Sequence, residues 1–268
     1  MMEQMPRLRL VRRSVECEIA STLSRLRALA RVTGNPGGIS IRPLAGGAVA
    51  LMAHQLPVPS FNSVVGLQAG HEREIAELAA WYGAAGVPAR FEIVPAYYDW
   101  ALGAALARLG YYQSGMQASL VCKPRLDLPA AATGIAIERI VGTAALAELP
   151  AAIAPSLRVA GRGCQANVHD WLVPPGHWLY LARLDGKPAA TAILYVADKV
   201  GYCADAAIDP ALRGRGLYTA LLHRLIADAS AAGVDFVCGG ADFLSQHHRT
   251  MEHAGMRVLF VRGLWTAL

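Results

Sequence analysis

The stretch Ile208-Asp209-Pro210-Ala211-Leu212-Arg213-Gly214-Arg215-Gly216-Leu217-Tyr218 runs directly into a long apolar-periodic segment, and its residue types suit an anion. Glycine lets a backbone curl tightly and approach a ligand closely, because no side chain stands in the way. A helix that starts just after the glycines offers unpaired amides and the positive end of its dipole. Arg213 and Arg215 add charge and a planar fork of donors that matches phosphate oxygens. A pyrophosphate fits this loop. Taken alone, the same residues would also serve as an ordinary strand-to-helix turn with solvated arginines.

The elements around the loop have to position it. A strand of small and β-branched residues, Tyr202 to Ile208, precedes it and is stopped by Pro210, which cannot extend a ladder. Further upstream, Trp178 to Leu184 and Pro188 to Tyr195 flank Asp185-Gly186, the pattern of a β-hairpin with a two-residue turn. Downstream, the pattern predicts a helix over Leu217 to Ala232, a strand over Val234 to Cys238 and a second helix from about Ser245. A break at Ala254-Gly255 and a final strand over Val258 to Trp265 follow.

In this order the pieces resemble the GNAT superfamily of acyl-CoA-dependent N-acetyltransferases, over residues 134–268. The superfamily's loop is usually Arg/Gln-x-x-Gly-x-Gly/Ala. Arg213, Gly214, Arg215, Gly216 and Leu217 are similar to it, whereas Tyr218 stands where a small residue is usual. Glu252-His253-Ala254-Gly255-Met256 is similar to the closing Tyr-Glu-Lys-x-Gly-Phe segment, and the tyrosine that often protonates the departing thiolate falls at Met251. The resemblance implies acetyl-CoA as acyl donor and no metal. Arg213, Gly214, Arg215, Gly216, Leu217 and Tyr218 would hold the donor's pyrophosphate end. The backbone of Ala206, Ala207 and Ile208 would line the pantetheine arm and offer an amide to the developing oxyanion. Ser245 lies near where the superfamily often places an asparagine that binds the arm; a helix N-cap is the other role open to it.

An aliphatic ammonium must lose a proton before it attacks a thioester, so a base is needed. Asp205 is the single carboxylate within Tyr202 to Ile208 and, by strand alternation, points opposite to Ala206. It is the candidate base, with a structural hydrogen-bond acceptor as the alternative; His169, Asp170 and His177 are its rivals.

The first half carries a fainter copy of the plan. Ala84-Ala85-Gly86-Val87 leads into Arg90 to Val94 as Ala231-Ala232-Gly233-Val234 leads into Asp235 to Cys238, and Leu109-Gly110-Tyr111 mirrors Ala254-Gly255-Met256. Such a repeat argues for a duplicated domain. Its loop, Gln68-Ala69-Gly70-His71-Glu72-Arg73, has one glycine and a carboxylate, a poor pyrophosphate site. The expected class is therefore α/β (α+β), with two tandem GNAT-like domains, each a mixed, mostly antiparallel sheet flanked by helices. Residues 1–123 form a degenerate domain with an N-terminal helix, 124–133 a stiff proline-containing linker and 134–268 the acetyl-CoA-binding domain.

Composition excludes several classes. A chain of 268 residues with 54% apolar content supports sizeable cores, and no apolar run approaches the ~20 residues of a membrane helix. The segment from Arg7 to Arg13 lacks the apolar core of a signal peptide, and Val15, Ile19, Leu23, Leu26 and Ala30 share a helical face. The five cysteines, Cys17, Cys122, Cys164, Cys203 and Cys238, are spread without paired spacing, as thiols of a reducing compartment are. A net charge of +5 without a basic stripe gives no sign of nucleic acid. The expectation is a cytoplasmic monomer or homodimer that acetylates a small-molecule amine, with no nucleic-acid or membrane partner and a first domain that covers the active one or completes its pocket. Met251 and Tyr218 leave open an acyl-CoA-binding sensor without turnover. A protein N-terminus or lysine is the other acceptor: an open groove would favour it, a roofed pocket the small molecule.

Overall fold

The computed structural model describes residues 6–56, 58–141, 149 and 173–267; His169, Asp170 and Cys164 lie outside them. In the first half the chain forms α1 (Arg7–Ala30), β1 (Ile39–Pro43), β2 (Val49–Ala53), β3 (Val64–Val65), α2 (Ile75–Ala84), β4 (Arg90–Ile93), α3 (Trp100–Arg108) and β5 (Tyr111–Cys122). The second half forms β6 (Ile135–Ile140), β7 (His177–Leu184), β8 (Lys187–Ala197), β9 (Val200–Ile208), α4 (Leu217–Ala231), β10 (Phe236–Asp242), α5 (Gln246–His253) and β11 (Arg257–Ala267). The succession α2-β4-α3-β5 recurs as α4-β10-α5-β11, as the repeated Ala-Ala-Gly segments predict. Asp185 and Gly186 take φ of 50° and 80°, the left-handed pair that a two-residue hairpin turn between β7 and β8 needs.

All eleven described strands join one mostly antiparallel sheet, in the order β1-β2-β3-β4-β11-β5-β10-β9-β8-β7-β6. The two expected sheets are thus continuous, and they are joined through exchanged last strands. β11 lies between β4 and β5 of the first half, while β5 lies between β11 and β10. β5 and β11 run antiparallel from Arg257 opposite Val121 to Ala267 opposite Tyr111.

Strand alternation sorts the core into layers. Val121, Leu179, Leu181, Ile193, Phe236 and Cys238 pack with Leu10, Val11, Val15, Leu26 and Leu29 of α1, together with Val49 and Leu51 of the first half. Their neighbours along the strands, Leu120, Tyr180, Leu194 and Val237, pack against Leu217, Leu221, Leu225 and Met251 of α4 and α5. α2 and α3 cover Ala50, Met52 and Phe91. α1 therefore braces one face across both halves, and the paired helices of each half cover the other. Cys17, Cys122 and Cys238 are buried free thiols, and Cys203 is half-buried. Among the described residues, no helix is long and apolar enough to cross a membrane.

A buried ion cluster ties α1, β4 and β11. Arg262 bonds Glu92 at 2.8 Å and also Glu18, while Arg90 lies 3.1 Å from Glu92. Only 2% of the Arg262 side chain is exposed, so these charges depend on one another rather than on water. Removing Arg262 would leave Glu18 without its ion-pair partner and Glu92 with Arg90 alone. Arg262→Met is expected to lower the unfolding free energy by ~3–5 kcal/mol in denaturant titration, with partial recovery when Glu18→Gln and Glu92→Gln are added.

Candidate functional site

The glycine-arginine loop opens onto a groove. Gly214 and Gly216 both sit at φ 79°, where only glycine is unstrained, and a Cβ built on either would meet nothing within 4 Å. Asp209 turns the chain by accepting the Ala211 amide at 2.9 Å. The first bond into α4 runs from the Ala220 amide to the Gly216 carbonyl at 3.0 Å, so the helix makes no use of the amides of Leu217, Tyr218 and Thr219. Arg213 and Arg215 are exposed beside them. The groove, about 770 Å³, is lined by Ala206, Ala207, Ile208, Arg213, Gly214, Gly216, Leu217, Tyr218 and Ser245 among others. Of the residues the sequence assigned to the donor, it brings together all but Arg215.

The groove continues because two strands part. β9 and β10 pair in parallel over Val200–Cys203 and Phe236–Gly239 and no further. Beyond Cys203, β9 is paired only on its β8 side, which leaves peptide groups on the other edge for an extended arm. Opposite β8, Ala206 faces Ala192 and Ala204 faces Ile193, so Asp205 is an extra, bulged residue, at φ 20°. The bulge corrects one expectation. Asp205 does not point away from Ala206; alternation breaks there, and both line a second cavity of about 260 Å³.

This cavity meets the groove at Ala206, Tyr218 and His247, which line both. Its far walls come from the first half: Glu18, Ser21, Thr22 and Arg25 of α1, Phe61 and Glu92. Arg25, only 4% exposed, donates from Nη1 to the half-exposed Asp205 carboxylate and stacks over the Phe61 ring with its guanidinium carbon 5.4 Å from the centroid. Asp205 is therefore already engaged by a guanidinium. His177 is buried behind Ser21. Its Nδ1 lies 3.2 Å from the Pro174 carbonyl, which can only accept, so Nε2 is the acceptor for the Ser21 hydroxyl at 3.1 Å. Burial, helped by the charge of Arg25, lowers the His177 pKa to about 4, so the ring is neutral at neutral pH.

Ser245 is an N-cap, accepting the His248 amide at 3.1 Å, and lines the groove as well. Met251 is fully buried, and a Cβ on Gly239 would come within 2.8 Å of its terminal methyl. Tyr218, from α4, hydrogen-bonds instead across to Nε2 of His247 on α5. Neither His247 nor Arg25 stands out as a site residue in the sequence. The signal for the cavity wall was present: Glu18, Ser21, Thr22 and Arg25 recur at helical spacing beside the apolar face of α1.

In the first half, the corresponding loop satisfies itself. The Glu72 carboxylate accepts the Gly70 amide at 2.8 Å, and His71 Nε2 lies 3.1 Å from the Ala45 carbonyl.

Residues 159–245 match the family model of the acetyltransferase (GNAT) domain. No curated protein matches the sequence. Among solved structures, a GCN5-related N-acetyltransferase from Kribbella flavida is similar over 93% of this chain and 95% of its own, with a TM-score of 0.60 and 18% identity. A GCN5-related N-acetyltransferase from Sphaerobacter thermophilus is similar over 74% of this chain and 68% of its own, at TM-score 0.54 and 17% identity. A tandem GNAT protein from the clavulanic acid biosynthesis pathway is similar over 93% and 94%, at TM-score 0.53 and 17% identity. The likeness is one of fold: the chain has the GNAT fold, and residues 159–245 within it carry the domain match.

Gly216→Asp places a charged side chain in the open space beside the unused amides. Affinity for CoA by calorimetric titration is expected to fall about a hundredfold, ~2.7 kcal/mol, with the fold retained by circular dichroism. Unchanged affinity in a folded variant would remove the groove from the account.

Proposed function

We propose that the chain transfers the acetyl group of acetyl-CoA to the amine of a small molecule held between its two halves. The observation that carries this reading is the second cavity, which meets the groove at Ala206 and is walled by α1, Phe61 and Glu92 of the first half. Enclosure of that kind suits a compact acceptor; a protein terminus or lysine would need an open approach. Residues 1–123, on this reading, are a degenerate domain that completes the pocket of residues 134–268. The Glu72 carboxylate, which takes the amide at Gly70, speaks for one donor per chain.

Acetyl-CoA, when bound, supplies the thioester. Arg213, Arg215, Gly214, Gly216 and the free amides at the start of α4 would hold its pyrophosphate. The unpaired edge of β9 from Ala206 to Ile208 would bond the pantetheine arm and offer an amide to the oxyanion, positioned before the reaction begins. Asp205, bulged into the cavity one residue before Ala206, would take the proton that the amine loses, with Arg25 fixing the carboxylate's direction.

A screen of small amines and of peptides with free N-termini or lysines, followed by thiol release, tests this. Turnover is expected with a subset of small amines and not with peptides. Asp205→Asn should lower kcat about 10²-fold on the best acceptor while CoA affinity stays the same. Turnover confined to peptides would overturn the acceptor class, and tight acetyl-CoA binding with no transfer to any amine would favour the sensor.

A further inference from the structure

We infer that the Tyr218 hydroxyl, oriented by His247, is the group that protonates the departing thiolate. The inference rests on the acetyl-transfer reading and assigns a step for which Met251 has no hydroxyl. Met251 is fully buried, with its methyl against Gly239 where β9 and β10 are still paired, so a thioether rather than a proton donor stands there. Tyr218 and His247 come from different helices and meet where the groove opens into the cavity; with Ala206 they are the residues that line both. A thioester lying along the β9 edge, with its acyl carbon at Ala206 and its arm in the groove, has its sulfur at this junction.

The hydrogen-bond arithmetic suits the role. A tyrosine hydroxyl donates one hydrogen bond and accepts others. With His247 Nε2–H as donor to Tyr218 Oη, the hydroxyl hydrogen is left for the sulfur. The same N–H then steadies the phenolate oxygen as negative charge reaches it. Burial keeps the two groups in the matching states: it raises the Tyr218 pKa well above its usual value, so the hydroxyl stays protonated, and it lowers that of His247, so the ring stays neutral. Cys203 on β9 and Asp242 at the end of β10 are the ionisable groups whose charges act on the pair.

The step balances without a further reagent. The amine nitrogen bonds the carbonyl carbon, the C–S bond breaks, the electron pair stays on sulfur, and the hydroxyl proton passes to it. The phenolate recovers a proton from solvent, and the amine's surplus proton leaves through the base. The side chain at Tyr218, unusual for that loop, would thereby supply what Met251 does not.

Tyr218→Phe keeps the ring and removes the oxygen. On acetyl-CoA its kcat is expected to fall about 10²-fold, with CoA affinity unchanged by calorimetry. On the selenoester analogue of acetyl-CoA, whose selenolate leaves without needing a proton, the variant should come within a few-fold of wild type. His247→Phe should show the same pattern more weakly, and His247→Gln, which keeps a donor, should recover part of the rate. A second readout needs no acceptor: in ultraviolet titration of bound CoA, the thiol should ionise at lower pH in wild type than in Tyr218→Phe. Equal losses on thioester and selenoester, an unchanged kcat, or a loss that follows CoA affinity would overturn the assignment. If wild type transfers to no amine, the acetyl-transfer reading fails, and the thiol titration still decides whether Tyr218 reaches the sulfur.

Discussion

The pairing of β5 with β11 is the constraint on which the rest of the molecule depends. A last strand normally closes the sheet of its own half; here each closes the other. β11 pairs β5 along almost its whole length and pairs β4 on its other side. β5 in turn takes up β10 from Val237 opposite Cys122 to Asp242 opposite Gln117. Were each last strand kept in its own half, β5 beside β4 and β11 beside β10, both would present an unpaired edge, which folded proteins avoid. With it, the two halves have one register and one face for α1 to span. The contacts across the seam are local to the seam but fix distances on either side of it.

That register puts chemistry from both halves in one place. α1 crosses the sheet so that Arg25 meets the bulge of β9 at Asp205, and Glu18, four residues before Thr22, meets Arg262 of β11. Arg13, one helical stretch earlier, reaches Asp235 at 2.8 Å just before β10 begins. A chain of charged contacts therefore runs along one helix and pins it to both halves. Under it, β9 and β10 separate after Cys203 and Gly239, and the gap leads from the glycine-arginine loop to a walled cavity. Groove and cavity meet at the Tyr218–His247 pair, which with Ala206 lines both.

Much of the second half was legible in the sequence because its signals are local. The Asp185-Gly186 turn, the stop at Pro210, the glycines at 214 and 216 and the break at Gly255 each act within a few residues, so the elements they bound came out within a residue or two. The repeat of Ala-Ala-Gly segments exposed the duplicated order of elements for the same reason. What stayed hidden is non-local. No residue within β5 or β11 announces that the two will pair across the halves, since alternation fixes which face a strand buries but not its neighbour. The bulge at Asp205 was hidden too, because one extra residue in β9 depends on its register with β8. Arg25 and Glu18 share a helical face in the sequence, but that spacing does not name the strands that bury them.

On the proposed function, two halves that share one sheet build a single acyl-transfer path. The most direct test is a crystal structure of the full chain with acetyl-CoA. One CoA per chain is expected, its pyrophosphate on the amides between Gly214 and Thr219. Its thioester should lie beside Ala206, at the mouth of the cavity walled by Arg25 and Phe61. A second CoA on the Gln68 to Arg73 loop, or a thioester directed away from that cavity, would contradict it.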